Sequence, residues 1–559
     1  MNVAELIAQC LENEKVAYIF GLPGEEIIPL VDALNGTAIR FILTRSEEAA
    51  AFMADMYGRV TGKAGVCLAT LGPGAINLLL GVADAQTDSA PLVALSAQVG
   101  LGRIYKETHQ VVDLVSMFKP VTKWADTLLT PGAAPEMIRH AFSVAQAERP
   151  GAVYLAIPQD VAAMPAAPSL RPLQAHPVPA EAPDPGQIAQ AAALLNAAQT
   201  PIILAGHGAA RHQAQAALIR FAEKLKIPVA TTYHGKGVFP DDHPYALGTM
   251  GFMVHDYVNF GFDQADVVVC VGYELQEFAP ARLNPQGDKQ IIHLHRLAAV
   301  VDAYYNVTAD VAGDIPAALD ALAAQVSPKP GLVAAERQIR CLLREELERG
   351  RGDASYPLKP QRLVADIRAA MGREDFVLVD SGAVKMWMAR LYPTYRPNTC
   401  LVSNGLSTMG FALPGALGVK LAHPRQKVLA VTGDGGFLMN SGEIETALRE
   451  KIPLVVLVWV DGSYGLIKWK MEMQLQRFSH VDFGNPDFVQ FARSFGANGY
   501  FIREAAELLP TLHEALAADT VSVIACPVDY SENTRLTEKL EHLADPSEVK
   551  CPDDGKISA

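Results

Sequence analysis

The residues best placed to do chemistry stand around position 434. The run Gly433-Asp434-Gly435-Gly436 follows an apolar segment, Val428-Leu429-Ala430-Val431, and precedes Phe437-Leu438 and a helical pattern from Ser441 to Arg449. Glycines at a strand end leave backbone N–H groups open to a phosphate, and an aspartate among them can share a hard divalent cation with phosphate oxygens. By itself, a strand followed by Gly-Asp-Gly is also how an ordinary tight turn reads. A second acid changes the balance. The apolar segment Leu454–Trp459 runs into Val460-Asp461-Gly462-Ser463-Tyr464-Gly465, so Asp461 ends another strand 27 residues after Asp434. That interval suits a helical crossover between neighbouring parallel strands, which would bring both carboxylates to one ion.

A competing motif lies in the middle of the chain. Gly206-His207-Gly208-Ala209-Ala210-Arg211, after the apolar run Ile202–Leu204, imitates a dinucleotide fingerprint but puts arginine where the last glycine belongs. It keeps open a reading from another class, a nucleotide- or flavin-binding module.

The elements that must position these residues repeat one rhythm. Short runs at Ala64–Ala69, Pro91–Ser96, Ile202–Ala205, Val267–Val271, Phe376–Val379, Val428–Val431 and Leu454–Trp459 alternate with amphipathic helical stretches. This predicts an α/β protein of parallel sheets covered by helices, with ligands at the strand C-termini, where Gly72-Pro73-Gly74 and the two motifs above stand. A proline- and alanine-dense connector between Pro158 and Pro185, and a second weak segment from Ser327 through a charged helical stretch to Pro360, divide the chain. The predicted blocks are 1–160, 185–330 and 360–535, with a tail over 536–559.

Composition bounds the function. At roughly 150 residues per domain, 559 residues make three or four domains. With 50% hydrophobic and 19% charged residues, the chain can bury several cores, which excludes a disordered or fibrous protein. A net charge of −14 repels phosphate backbones and anionic lipid, so neither nucleic acid nor a membrane is an expected partner. The longest apolar runs fall well short of the ~20 residues of a membrane-spanning helix. Met1-Asn2-Val3-Ala4-Glu5 carries no basic patch before an apolar core, which predicts a cytoplasmic protein. Seven scattered cysteines without a CxxC pair read as buried small hydrophobes rather than a disulfide framework or zinc site.

The Gly-Asp-Gly segment with a second acid about 27 residues on resembles the motif of thiamine-diphosphate enzymes, and the chain as a whole resembles their acetolactate synthase group. The likeness runs from Val3 to about Leu540. Its N-terminal part carries Phe20-Gly21-Leu22-Pro23-Gly24, Arg45-Ser46-Glu47, Ala51-Phe52-Met53-Ala54-Asp55, Gly72-Pro73-Gly74 and Asn77; its C-terminal part carries Asn404-Gly405-Leu406-Ser407-Thr408-Met409-Gly410 and Pro527–Asn533. The resemblance implies three doubly wound domains that bind, in turn, the cofactor's pyrimidine, nothing yet identified, and its diphosphate with Mg²⁺.

Residue roles follow by the same resemblance. Glu47 is the glutamate that hydrogen-bonds the pyrimidine and promotes its imino tautomer, a role that requires shielding from water. Ser46 departs from the family's histidine, and Glu48 reads as a solvated acid. Asp434, Asp461 and Ser463 would hold the metal; Gly433, Gly435, Gly436, Tyr464, Gly465, Leu466 and the turn Gly382-Ala383-Val384 would hold the cofactor. Met409 would wedge between the cofactor rings, with the backbone near Ser407 and Met409 pairing to the aminopyrimidine. Gln110 sits where an amide polarises a reacting carbonyl. His109, Trp469 and Lys470 fall at substrate-facing positions, and Trp387 reads as core.

The expected reaction is decarboxylation of pyruvate and carboligation to a second 2-oxo acid, giving 2-acetolactate, in branched-chain amino acid biosynthesis or an acetoin pathway. The alternative within the family is a carboligase or lyase acting on another 2-oxo acid, an aldehyde or a 2-hydroxyacyl substrate. The segment Gly272-Tyr273-Glu274-Leu275-Gln276-Glu277-Phe278-Ala279-Pro280, with His295 where aspartate is usual, is closer to the flavin-free catabolic branch, so FAD is expected to be absent. Pro240, His243 and Leu247-Gly248 do fit the general central-domain pattern. Because Glu47 and the metal acids lie on different domains, the resemblance implies at least a homodimer, and a homotetramer is expected.

Overall fold

The computed structural model describes residues 1–176, 180–251 and 256–536. It contains three six-stranded sheets in which every strand pairing is parallel. The first holds β1 (Tyr18–Gly21), β2 (Arg40–Leu43), β3 (Gly65–Ala69), β4 (Leu92–Gln98), β5 (Trp124–Thr127) and β6 (Ala152–Pro158) in the order β2-β1-β3-β4-β6-β5. The second holds β7 (Pro201–Ala205), β8 (Val229–Thr231), β9 (Ala246–Thr249), β10 (Val267–Val271), β11 (Gln290–His295) and β12 (Val307–Ala312), ordered β12-β11-β10-β7-β8-β9. The third holds β13 (Phe376–Val379), β14 (Cys400–Val402), β15 (Val428–Gly433), β16 (Val455–Val460), β17 (Asn498–Phe501) and β18 (Ser522–Pro527), ordered β14-β13-β15-β16-β18-β17. The first and third sheets thus share one topology, and the second has the dinucleotide-fold order. This is the three-domain, doubly wound α/β architecture expected from the alternation of apolar runs and helices.

Strands such as Val267–Val271 are buried along their whole length, because helices cover both faces of each sheet. That is why they read as unbroken apolar runs. All seven strands expected from such runs are present, their ends within two residues of the apolar segments. The proline-dense connector starts with a short helix, Gln159–Ala163, and among the described residues has no further helix until Pro185; the charged stretch after Ser327 is the helix Ala334–Arg351. The tail from Thr537 onward lies outside the described residues. Cys10, Cys67, Cys270, Cys400 and Cys526 are buried free thiols.

The first and third sheets share a core. The helix Glu47–Thr61 packs across the helix Ala412–Ala422, with Phe52 and Phe411 edge to face at 6.4 Å between ring centroids. Gly418 makes this crossing close: a Cβ there would overlap the carbonyl of Met53, and one at Gly415 would lie 2.7 Å from Met56 Cγ. Among the described residues no helix is long and apolar enough to cross a membrane.

Candidate active site

Strands β13 and β15 are neighbours, and the chain leaves them in opposite directions, to β14 on one side and β16 on the other. Such a switch point opens a crevice at the strand C-termini. The crevice receives Asp380-Ser381-Gly382 from β13, Asp434 from β15 and Asp461 from β16. The pairing of β15 with β16 sets Gly433 opposite Trp459, so the two aspartates end adjacent strands as their spacing predicts.

The helix after β15 starts at Asp434 itself and runs to Asn440, earlier than the Ser441–Arg449 pattern suggests; a second helix covers Glu443–Arg449. Gly435 and Gly436 permit this first turn, since a Cβ on them would lie 2.9 Å from Tyr464 Cε1 and 2.6 Å from Asp380 Oδ2. Asp434 is 1% exposed. Its Oδ1 accepts the Gly435 N–H at 2.9 Å, while Oδ2 accepts the N–H groups of Asp461 (3.2 Å) and Gly462 (2.8 Å) and Nδ2 of Asn485 (2.7 Å). Asp461 accepts the Ser463 hydroxyl at 3.2 Å, and burial followed by the Asp434 charge pushes its carboxyl up to about 7. Two neighbouring carboxylates in a buried crevice, with a serine hydroxyl beside them, form a hard-oxygen donor set whose repulsion a divalent cation offsets.

The surrounding backbone suits a phosphate group. Gly382, at φ 138°, caps the helix Ala383–Leu391 from a conformation that glycine alone adopts freely, and nothing but Val384 comes within 4 Å of where its Cβ would be. The Ser381 hydroxyl and Asn485 Oδ1 are buried without a hydrogen-bond partner, orphaned groups at the rim of the same crevice. Tyr464 is exposed and packs its ring against Phe483 at 5.0 Å, and Gly465 gives room to Asp461 Oδ2; Leu466 packs against the core. The residues present therefore fit a diphosphate bound through a divalent metal.

A second group assembles on the first domain. Glu47 opens the helix Glu47–Thr61, whose cap is Ser46: its Oγ accepts the Ala49 N–H at 3.1 Å. Glu47 is only 7% exposed, and its Oε2 accepts Nδ2 of Asn77 at 3.0 Å. Gly74 leaves space for the carboxylate, 3.2 Å from a Cβ built there. Gln110, with φ 59°, lies against Gly72 at the start of the same Pro73–Thr87 helix. Glu47, Asn77 and Gln110 thus gather at one helix end, with His109 exposed beside them. Glu48 departs from expectation: it is half-buried and accepts Nδ2 of Asn440 at 3.2 Å. The reason is the tight packing of the two domains, which also brings the Ser46 N–H to Glu443 Oε1. Within the chain, among the described residues, no hydrogen bond or ion pair joins Glu47 to the Asp434 group.

Met409 is half-buried and Ser407 holds φ 59° in the loop between β14 and the helix Ala412–Ala422. Trp387 is core, its indole N–H bonded to Asn533 Oδ1 at 2.7 Å. Trp469 is the one buried residue of the helix Gly465–Leu475 and packs into the third domain's core, while Lys470 is exposed. Asn485 and Lys385 carry no sequence signal for their contacts here; Asn485 reaches Asp434 across 51 residues.

In the second sheet, the Gly206 motif begins the helix His207–Arg211 after β7, at the switch point between β7 and β10. The crevice there is filled by the chain itself. The Glu277 carboxylate accepts the N–H groups of His207 (3.1 Å) and Glu274 (3.0 Å) and the Thr232 hydroxyl, and a Cβ on Gly206 would meet it at 2.5 Å. Arg211 and Glu274 pair beside it, together with His295.

Three family descriptions match in chain order: the N-terminal TPP binding domain of thiamine pyrophosphate enzymes over residues 1–117, their central domain over 188–322, and their C-terminal TPP binding domain over 380–526. The chain is 37% identical over 549 residues to the catabolic acetolactate synthase of Raoultella terrigena, covering 97% of each protein. It is 35% identical over 542 residues to the acetolactate synthase of Bacillus subtilis (strain 168), covering 95% of this chain and 94% of that one. A probable acetolactate synthase large subunit of Methanocaldococcus jannaschii matches at 34% over 590 residues, 99% of this chain and 97% of the other. Matched by all three family domains and aligned over nearly its whole length with acetolactate synthases, the chain belongs to the thiamine pyrophosphate enzymes and, among them, to the acetolactate synthase group.

Proposed function

We propose that the protein decarboxylates pyruvate and joins the two-carbon unit to a second pyruvate, giving 2-acetolactate, with thiamine diphosphate and Mg²⁺. The observation that carries this reading is the pair Asp434 and Asp461 at the ends of adjacent strands, with the Gly382 turn in the same crevice. When bound, thiamine diphosphate would supply the electron sink that accepts the bonding electrons as CO₂ leaves. The chain's own residues do the rest. Asp434, Asp461 and Ser463 would hold Mg²⁺; Asp434 is fixed by the N–H groups of Asp461 and Gly462 and by Asn485. The N–H groups of the Gly382–Val384 turn would receive the diphosphate. Glu47 holds the proton that cofactor activation moves, its carboxylate aimed by Asn77 and kept from water by the packing of Gly74.

As the family resemblance implies, Glu47 of one copy and the metal acids of another complete one site, so the working unit is at least a homodimer. Ile76 and Leu80, on the helix of Asn77, and Leu406 and Met439, flanking the cofactor loop, are exposed apolar side chains of the kind a second copy covers. The central domain carries no flavin in this reading, because the Glu277 carboxylate takes the place of a phosphate on the Gly206 turn. Incubation with thiamine diphosphate, Mg²⁺ and pyruvate, following CO₂ and acetoin formed after acid treatment, tests the assignment; CO₂ without acetoin, or neither product, rejects it.

A further inference from the structure

Lys385 stands on the first turn of the helix Ala383–Leu391 and is 4% exposed. A lysine this deep is uncommon, because its ammonium loses water and must be offset by charges and acceptors. Its Nζ donates to the Ser403 carbonyl at 2.8 Å and to Ser407 Oγ at 2.7 Å, and lies 5.4 Å from the centre of the Tyr233 ring. Both acceptors belong to the loop that carries Met409. Ser407 is in the left-handed conformation, which is strained for a non-glycine residue and persists only where neighbours enforce it.

The rest of the loop is held by carboxylates. Asp84 accepts the hydroxyls of Ser403 and Thr408, both at 2.6 Å. Asp88 accepts the N–H groups of Asn404 and Gly405, and Asp380 that of Gly410. The buried groups facing Lys385 are therefore Asp84 and Asp88 from the Pro73–Thr87 helix and its cap, Asp380 from the end of β13, and Tyr233 with His234 from the central domain. Arg59, from the Glu47–Thr61 helix, pairs with Asp88 at 3.5 Å, and burial holds His234 neutral. Lys385 and Arg59 thus answer a buried carboxyl cluster, Asp84, Asp88 and Asp380 with Asp55 beside Asp84, and Lys385 is the cation that touches the loop at Ser407.

The geometry assigns Lys385 as a positioning residue for cofactor binding, an ammonium clamp that locks Ser407 in the left-handed turn and so sets the loop edge that meets the aminopyrimidine. This rests on the thiamine-diphosphate reading above. It makes the clamp sensitive to alkali: burial lowers the Lys385 ammonium to about 8 against the pull of Asp88, Asp84 and Asp380, so the charge is lost as pH rises through that value.

The test is titration of the Mg²⁺-loaded protein with thiamine diphosphate by calorimetry, for wild type, Lys385→Met, Ser407→Gly and Ser407→Val, with thermal unfolding of each cofactor-free protein. Lys385→Met is expected to weaken the cofactor about 10- to 100-fold, the size of one charge-assisted hydrogen bond, with no recovery at high Mg²⁺. Ser407→Gly accepts the left-handed turn without a clamp and should bind within about threefold of wild type; placed in that background, Lys385→Met should lose most of its effect. Ser407→Val strains the turn from an exposed position, so it should weaken binding while the cofactor-free protein still folds, its melting temperature lower by no more than a few degrees, which keeps the test open if Lys385→Met does not fold. Wild-type affinity should fall above about pH 8 and that of Lys385→Met should not. Wild-type affinity in Lys385→Met and Ser407→Val, or an undiminished Lys385→Met effect in the Ser407→Gly background, overturns the clamp alone; a wild-type protein that binds no thiamine diphosphate overturns the cofactor reading beneath it.

Discussion

Asn77 Nδ2 lies 3.0 Å from Glu47 Oε2, tying the start of one helix to the first turns of the next. The bond aims the carboxylate without neutralising it, because an amide adds no charge. Glu47→Gln should therefore keep cofactor binding while turnover falls by about 10²-fold or more, the usual reach of a positioned acid–base group. Asn77→Ala should cost less, roughly tenfold in kcat, at unchanged cofactor affinity. Hydrogen–deuterium exchange at the cofactor's C2 carbon separates the two effects, and wild-type exchange in Glu47→Gln would remove Glu47 from the mechanism.

Asp461→Ala acts on anchoring rather than proton transfer. It removes one of the two carboxylates that balance the cation's charge, while Asp434 keeps its four donors. Half-saturating Mg²⁺ and thiamine diphosphate concentrations should both rise by about tenfold or more, with kcat recovering at high Mg²⁺. A variant that binds cofactor normally at limiting Mg²⁺ would place the metal elsewhere.

The purified protein should release no stoichiometric FAD on denaturation, since Glu277 stands on the Gly206 turn. An absorbance spectrum with flavin bands at one per chain contradicts this.

Glu277 also links stability to pH. Burial, and then the charge of Glu274, raise its carboxyl from 4.5 to about 7. Between those two values the folded chain binds the proton more tightly than the unfolded chain, so this contribution is complete below about pH 4.5 and is lost as pH rises through 7. A difference of that size between folded and unfolded chains is worth on the order of 3 kcal/mol. Melting temperatures across pH 5–8 should decline less steeply in Glu277→Gln than in wild type; parallel curves would show that Glu277 titrates normally.

Gly418→Val should separate the helices Glu47–Thr61 and Ala412–Ala422, because the added atoms overlap the Met53 backbone. Overpacking at such a crossing costs about 1–3 kcal/mol and should lower the melting temperature by several degrees. An unchanged melting temperature would mean that the two domains meet elsewhere.

Much of the architecture is legible in the amino-acid sequence, and the reason is local. A strand buried on both faces must be apolar throughout, so Val267–Val271 and Phe376–Val379 declare themselves with the bounds the structure gives them. Chain geometry does the same for Asp434 and Asp461: a crossover of that length returns the chain to the neighbouring strand, and the pairing of β15 with β16 follows. What tertiary structure alone decided are the partners of buried polar groups. Glu277 reaches His207 across 70 residues, Asn485 reaches Asp434 across 51, and Lys385 meets carboxylates of the first domain and a tyrosine of the second. No periodicity marks such contacts, since a lysine or glutamate in a helical pattern reads as solvated until packing removes its water. Once water is gone, each charge must find whatever acceptor or counter-charge the fold brings near, and that choice is made by the meeting of domains rather than by neighbours in sequence.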